Sequence, residues 1–181
     1  MKLATEIEKL TEISHPFAST EVLADAVRAV VTTCDIQLER DYAARDGNPD
    51  LQGVVCGSSI TLNSPSGSVI LAILCDLPSG ESLARLLFAM DGDEDVPLED
   101  LNDALGELIN VAGGVFKGFR SKLGQTYSMG LPIPLGIHSR TDFTLSDTMG
   151  LTQLLKHADG TSIQVHLIWQ ERAGQCHSSC P

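Results

Sequence analysis

Cations are scarce in this chain: 12 Lys and Arg stand against 24 Asp and Glu, a formal net charge of −12 over 181 residues. Nucleic-acid binding depends on Lys and Arg neutralising phosphates, so this balance argues against DNA or RNA as a partner and suits a partner with a basic rim. Long apolar runs are lacking too. The longest, Val69 to Leu74, is far shorter than the roughly 20 residues needed to span a bilayer. The opening MKLATEIEKL lacks the apolar core of a signal peptide. A cytoplasmic protein without membrane association is expected.

Metal and nucleophile constellations are also thin. None of the histidines has a spaced partner that would make a triad or a metal pair: His15 adjoins Pro16, His138 and His157 sit near strand ends, and His166 opposes the apolar face of its strand. DGDED, from Asp91, does not complete a calcium-loop pattern and reads as a solvated loop that complements a helix dipole. Cysteines number five, an odd count. Cys34, Cys56 and Cys75 lie in apolar or strand-like stretches and read as buried thiols. Cys176, His177 and Cys180 cluster in the tail but cannot close a four-ligand zinc site alone, so residues 173–181 read as a disordered tail.

What the chain does have is 43% hydrophobic residues, enough for one single-core domain. Residues 1–14 form an N-terminal extension and 15–172 the domain. Helical spacing of Phe17, Leu23, Ala26, Val27, Val30, Val31 and Cys34 predicts a first helix over about 16–33. IQLER then alternates like a strand, and DYAARDGNPD reads as loop. LQGVVCGSSITL and SVILAILCD flank a turn and predict a hairpin, the second strand covered on both faces. Ser79 is placed as the cap of a short helix that Asp91-Gly92 stops. YSMGLPIPLGI, with two prolines, is limited to an edge or short strand, and LTQLLKH, ADGT and SIQVHLIWQER make a final hairpin. The fold class is α+β: two layers, long helices on an antiparallel or mixed sheet.

The informative segment is the helix from about Pro97 to Leu123. At 100° per residue Leu101, Leu105, Leu108, Ala112, Val115, Phe116, Phe119 and Leu123 share a broad buried face. Asp103, Glu107, Asn110 and Gly114 fall opposite, within an arc of about 60°, and Lys117 extends the line. Gly106, Gly113, Gly114 and Gly118 together cost the helix about 2 to 4 kcal/mol relative to alanine. A partner backbone approaching the stripe would offset that, with Gly106 and Gly113 on its flank. Asn110 is a poor helix former, yet its carboxamide offers a donor and an acceptor on a short stem and can orient a water. Glu and Asn exposed on a helix are ordinarily just solvated, and E-x-x-N is by itself a weak motif.

Residues Asp103 to Gly136, DALGELINVAGGVFKGFRSKLGQTYSMGLPIPLG, resemble the CheC/CheX/FliY family of chemotaxis phosphatases. The family pattern of Asp or Ser, three residues, Glu, two residues, Asn and a later Pro is matched by Asp103, Glu107, Asn110 and either Pro132 or Pro134. Leu108, Gly114 and Lys117 also match, and the likeness extends over roughly residues 15–170. In the first helix Asp25, Ala29 and Thr32 replace the motif, so the chain is similar to the single-site CheX-like members. The resemblance implies a two-layer CheX/CheC-like fold and hydrolysis of the aspartyl phosphate of a CheY-type receiver. Asn110 would orient the attacking water and Glu107 would pair with the receiver's lysine. Asp103, Gly106, Gly113 and Gly114 would dock the partner, and Mg2+ would come with the receiver, this chain holding no cofactor of its own. It also implies a homodimer, for which the strand-rich VILAILCD or the terminal hairpin offers an edge. The alternative is a non-catalytic receiver-binding or flagellar-switch module using the same helix face.

Overall fold

The computed structural model of the protein describes residues 20–45, 51, 53–65, 67–92, 94–139 and 150–171. The N-terminal extension, the helix start at Pro16 and the cysteine tail lie outside the described residues. Three helices and seven strands follow in the order α1 (Thr20–Leu38), β1 (Ala43–Arg45), β2 (Val54–Ser64), β3 (Gly67–Asp76), α2 (Leu77–Phe88), α3 (Leu98–Lys122), β4 (Ser128–Met129), β5 (Ile133–Ser139), β6 (Gly150–Lys156) and β7 (Ser162–Glu171) among the described residues. The strands form one antiparallel sheet in the order β1-β6-β7-β3-β2-β4, with β5 also paired to β2. The α+β expectation holds, and the sheet is antiparallel rather than mixed.

One face of the sheet carries the helices. Ile60, Leu62, Val69, Leu71, Ile73, Ile163, Val165 and Leu167 meet Leu101, Leu105, Leu108, Ala112 and Phe116 of α3 and Val22, Ala26, Ala29, Val30 and Cys34 of α1 in one buried cluster. Burying a side chain of this size contributes about 1.5 to 3 kcal/mol, so this seam rather than helix propensity holds α3 in place. Cys34, Cys56 and Cys75 are buried free thiols, as expected, and burial pushes the Cys34 thiol up to about 12, which keeps it protonated. No helix among the described residues is long and apolar enough to cross a membrane.

Several local expectations are corrected. IQLER is not a strand: α1 runs on to Leu38, because Val30, Cys34 and Leu38 repeat every four residues and all three are buried. The chain then turns at Glu39, with φ 53°. Within the segment read as loop, Ala43–Arg45 forms β1 by pairing with Leu154–Lys156. Asp76, not Ser79, caps α2, its carboxylate accepting the Ser79 N–H at 2.9 Å. The Ser79 hydroxyl accepts the Ser162 N–H at 3.1 Å instead and ties α2 to β7. That helix stops at Ala89 in the left-handed region, before Asp91-Gly92. VILAILCD offers no edge for pairing with a second copy, since β3 lies between β2 and β7. In the terminal hairpin β7 is likewise internal, and β1 covers Leu154–Lys156 of β6.

His166 lies on the sheet face away from Val165 and Leu167 and is buried rather than exposed. Its Nε2 is 2.9 Å from Gln164 Oε1 and its Nδ1 2.9 Å from Thr152 Oγ1. The amide oxygen only accepts, so Nε2 bears the proton and the Thr152 hydroxyl donates to Nδ1, which satisfies a neutral ring. Burial pulls the pKa down from the usual 6.5 to about 4. The unfolded chain therefore takes up this proton first as the pH falls. Stability is intact above the unfolded value near pH 6.5 and declines through the window down to pH 4, by about 2 to 3 kcal/mol. His166→Gln should flatten that slope when urea midpoints are compared between pH 7 and pH 4; an unchanged slope would assign the acid sensitivity elsewhere.

Candidate functional site

The helix α3 begins after Pro97, with Glu99 and Asp100 in its first turn and Arg120 and Lys122 in its last, each sign matching the helix dipole. Its outward face holds the polar stripe. Asp103 and Glu107 are exposed, Asn110 is half-buried and Gly114 is exposed. No side-chain hydrogen bond or ion pair to another described residue engages Asp103, Glu107 or Asn110. Lys117 is exposed one turn beyond.

Opposite this stripe stands the proline strand. β4 and β5 share one edge of β2: Ser128–Met129 pair with Leu62–Asn63, and Ile133–Ser139 pair with Val54–Ser59. A register shift at Gly57/Ser58 leaves Leu135 without a partner on β2, the mark of a bulge, and prolines are tolerated on such an edge because it has ladder positions where no N–H is needed. Both Pro132 and Pro134 line a groove of about 580 Å³ with Asn102, Asp103, Gly106, Glu107, Asn110 and Phe88. Gly106 sets the width of the groove, since a Cβ there would sit 3.7 Å from Pro132 Cβ and anything longer would fill it.

Gly113 is the exception among the expected docking residues. It is buried against the sheet, where a Cβ would come within 3.2 Å of Ile60 Cγ2 and 3.8 Å of Met129 Cε. Its missing side chain lets α3 approach β2 closely, so it serves packing and is unavailable to a partner. Around Gly114 nothing lies within 4 Å of a Cβ. Gly114→Ala should therefore stabilise the isolated protein by about 0.5 to 1 kcal/mol through helix propensity, a rise in Tm of about 1 to 4 °C. Gly113→Ala should show less gain or a loss in the same thermal scan.

Phe88 was not singled out by the sequence. It ends α2, and only the packing of α2 beside α3 carries it to the groove. The corresponding face of α1 differs in its side chains: an opening of about 520 Å³ there is lined by Glu21, Asp25, Arg28, Phe119, Lys122 and Leu123, but Asp25 is paired with Arg120 and Ala29 is wholly buried. Among the described residues no group of three or more His, Cys, Asp or Glu is arranged to hold a metal ion.

A seven-stranded antiparallel sheet under a long helix, with a Glu and an Asn one turn apart at an open groove, defines a class of domain. The particular fold is that of the CheX, CheC-like and FliY proteins. A chemotaxis protein CheX from Desulfovibrio desulfuricans superposes with a TM-score of 0.67 at 13% identity, over 83% of this chain and 99% of that one. CheX in a CheX–CheY–BeF3–Mg2+ complex from Borrelia burgdorferi gives 0.63 at 17% identity, over 82% and 97%. FliY from Thermotoga maritima gives 0.58 at 17% identity, over 82% and 85%. No protein-family model matches the sequence, and no curated protein matches it significantly.

Proposed function

We propose that this protein is a phosphatase for the aspartyl phosphate of a CheY-type receiver domain. The observation that carries the reading is the pair Glu107 and Asn110, one turn apart at an open groove and unengaged by the rest of the described chain. The solved CheX from Borrelia burgdorferi, in complex with CheY, BeF3 and Mg2+, supports the choice of partner.

The receiver brings the acyl phosphate, Mg2+ and its active-site lysine. Asn110 enters the receiver site, where its carboxamide holds a water in line with the phosphorus. The water oxygen forms the new bond to phosphorus, the bond between phosphorus and the aspartyl oxygen breaks, and the products are the free carboxylate and inorganic phosphate, the water's proton passing to the phosphate or solvent. A carboxamide is far too weak a base to take that proton. Phosphoryl transfer through a loose transition state asks mainly for position, which a neutral donor-acceptor group supplies. Glu107 pairs with the receiver's lysine and fixes the angle at which Asn110 enters. Asp103 and Gly114 lie on the docking face around them.

The test is the decay of phosphate from purified receivers of the same cell, with and without this protein and its Glu107→Ala variant. Faster decay of one receiver, weakened in Glu107→Ala, supports the phosphatase. Binding of a receiver without faster decay would leave the groove as a docking module.

A further inference from the structure

Half of the groove is neither acidic nor polar. Phe88 is 44% exposed and is the exposed aromatic among the described residues, the remaining ones being buried or half-buried. It lines the same opening as Pro132 and Pro134, so the groove joins an apolar part to the polar part made by Asp103, Glu107 and Asn110. The apolar part is held firmly. Beyond Phe88 the chain turns at Ala89 with φ 51°, a conformation that costs an alanine about 1 to 2 kcal/mol. Met90 N–H closes the helix end on the Arg85 carbonyl at 2.9 Å, and Arg85 Nε in turn donates to the Glu94 carbonyl at 3.1 Å. A ring displayed at a clamped helix end loses little freedom when it is covered.

Charge identifies what covers it. The groove residues include two carboxylates and no Lys or Arg, in a chain of net charge −12. An occupant must bring a cation to Glu107 and an apolar side chain to Phe88. Resting on the phosphatase reading, we propose that Phe88, backed by Pro132 and Pro134, is a specificity-determining anchor. It receives an apolar side chain that neighbours the active-site lysine on the receiver's docking face, so that this chain selects among receivers by that neighbour. Chemistry belongs to the helix and selection to the apolar part. Truncating a buried aromatic anchor weakens an interface by roughly ten- to thirtyfold, whereas the reacting atoms are untouched.

The experiment compares wild type, Phe88→Ala, Phe88→Leu and Asn110→Ala on the receiver whose dephosphorylation the wild type accelerates, with thermal melts confirming that each folds. KM should rise about ten- to thirtyfold in Phe88→Ala with kcat changed less than twofold, Phe88→Leu should recover most of the loss, and affinity for the beryllofluoride-activated receiver should fall in parallel. Asn110→Ala should keep that affinity. An unchanged KM in Phe88→Ala, or a loss confined to kcat, overturns the anchor while leaving the phosphatase standing. Should the receiver bind but not be dephosphorylated, the phosphatase reading fails, and the affinities alone decide the anchor. Should no receiver bind, both fall.

Discussion

Asn110→Ala is expected to lower kcat for receiver dephosphorylation by two to three orders of magnitude with little change in receiver affinity. The reason is geometric. Asn110 is half-buried and lines the groove together with exposed Glu107, Pro132 and Pro134, and no other described side chain engages its carboxamide. Misplacing a nucleophile by about an ångström costs on the order of a hundredfold, and alanine removes the positioning group altogether. Uniform binding contributed by the rest of the face survives, so the loss falls on kcat. Asn110→Asp separates position from charge: it has nearly the same shape but loses the N–H donor and brings a negative charge towards an anionic phosphoryl group, so it should be no more active than alanine. Single-turnover decay of phosphoreceiver at increasing protein concentration reads kcat and KM separately. Activity retained in Asn110→Ala would remove the carboxamide from the mechanism.

The parts of this site carried by one helix were legible in its sequence, because the period of α3 is uninterrupted and its ends are marked by Pro97 and the basic last turn. Leu101, Leu105, Leu108, Ala112 and Phe116 are buried and Asp103, Glu107 and Gly114 exposed, as the angular sorting has it, but Val115, Phe119 and Asn110 are half-buried, and Leu123, expected on the buried face, lies past the helix end and is 57% exposed. Gly113 was misjudged because it lies on the flank of that wheel, where burial is decided by the neighbour. Here β2 and β4 bring Ile60 and Met129 across the flank. Phe88 has no local signature at all, since its place in the groove is fixed by how α2 packs beside α3. The same limit explains IQLER, where two-residue alternation and four-residue spacing both fit a short segment until Leu38 meets the core. Both prolines could be found but not ranked, because the bulge at Leu135 sets their register and is invisible in a single strand's sequence.

Asp25→Ala is expected to be the most destabilising single change in the pair it forms, by about 3 to 5 kcal/mol. Arg120, near the end of α3, is 3% exposed, and its Nη1 donates to Asp25 Oδ2 of α1 at 2.9 Å. Its Nε donates to Gln125 Oε1 at 2.9 Å, which also accepts from the Tyr127 hydroxyl at 3.3 Å. The guanidinium thus joins α1, α3 and the segment leading to β4 and the proline strand. Without Asp25 that cation is left buried with only the peripheral Glu21 carboxylate, 3.8 Å away and 70% exposed. The reverse deletion is milder. In Arg120→Met the carboxylate keeps Arg28, whose Nη2 lies 2.7 Å from Asp25 Oδ1 at the surface, and the methionine fills part of the space. Desolvation makes a buried pair worth little once both charges are gone, so Asp25→Ala with Arg120→Met should be more stable than Asp25→Ala alone. Urea unfolding of wild type, both single variants and the double variant gives the cycle, with Asp25→Ala shifting Tm by roughly 10 °C for a domain of this size. Equal losses for the two single variants would show that Arg28 does not shield the carboxylate, and additive losses in the double variant would deny the coupling that the 2.9 Å contact implies.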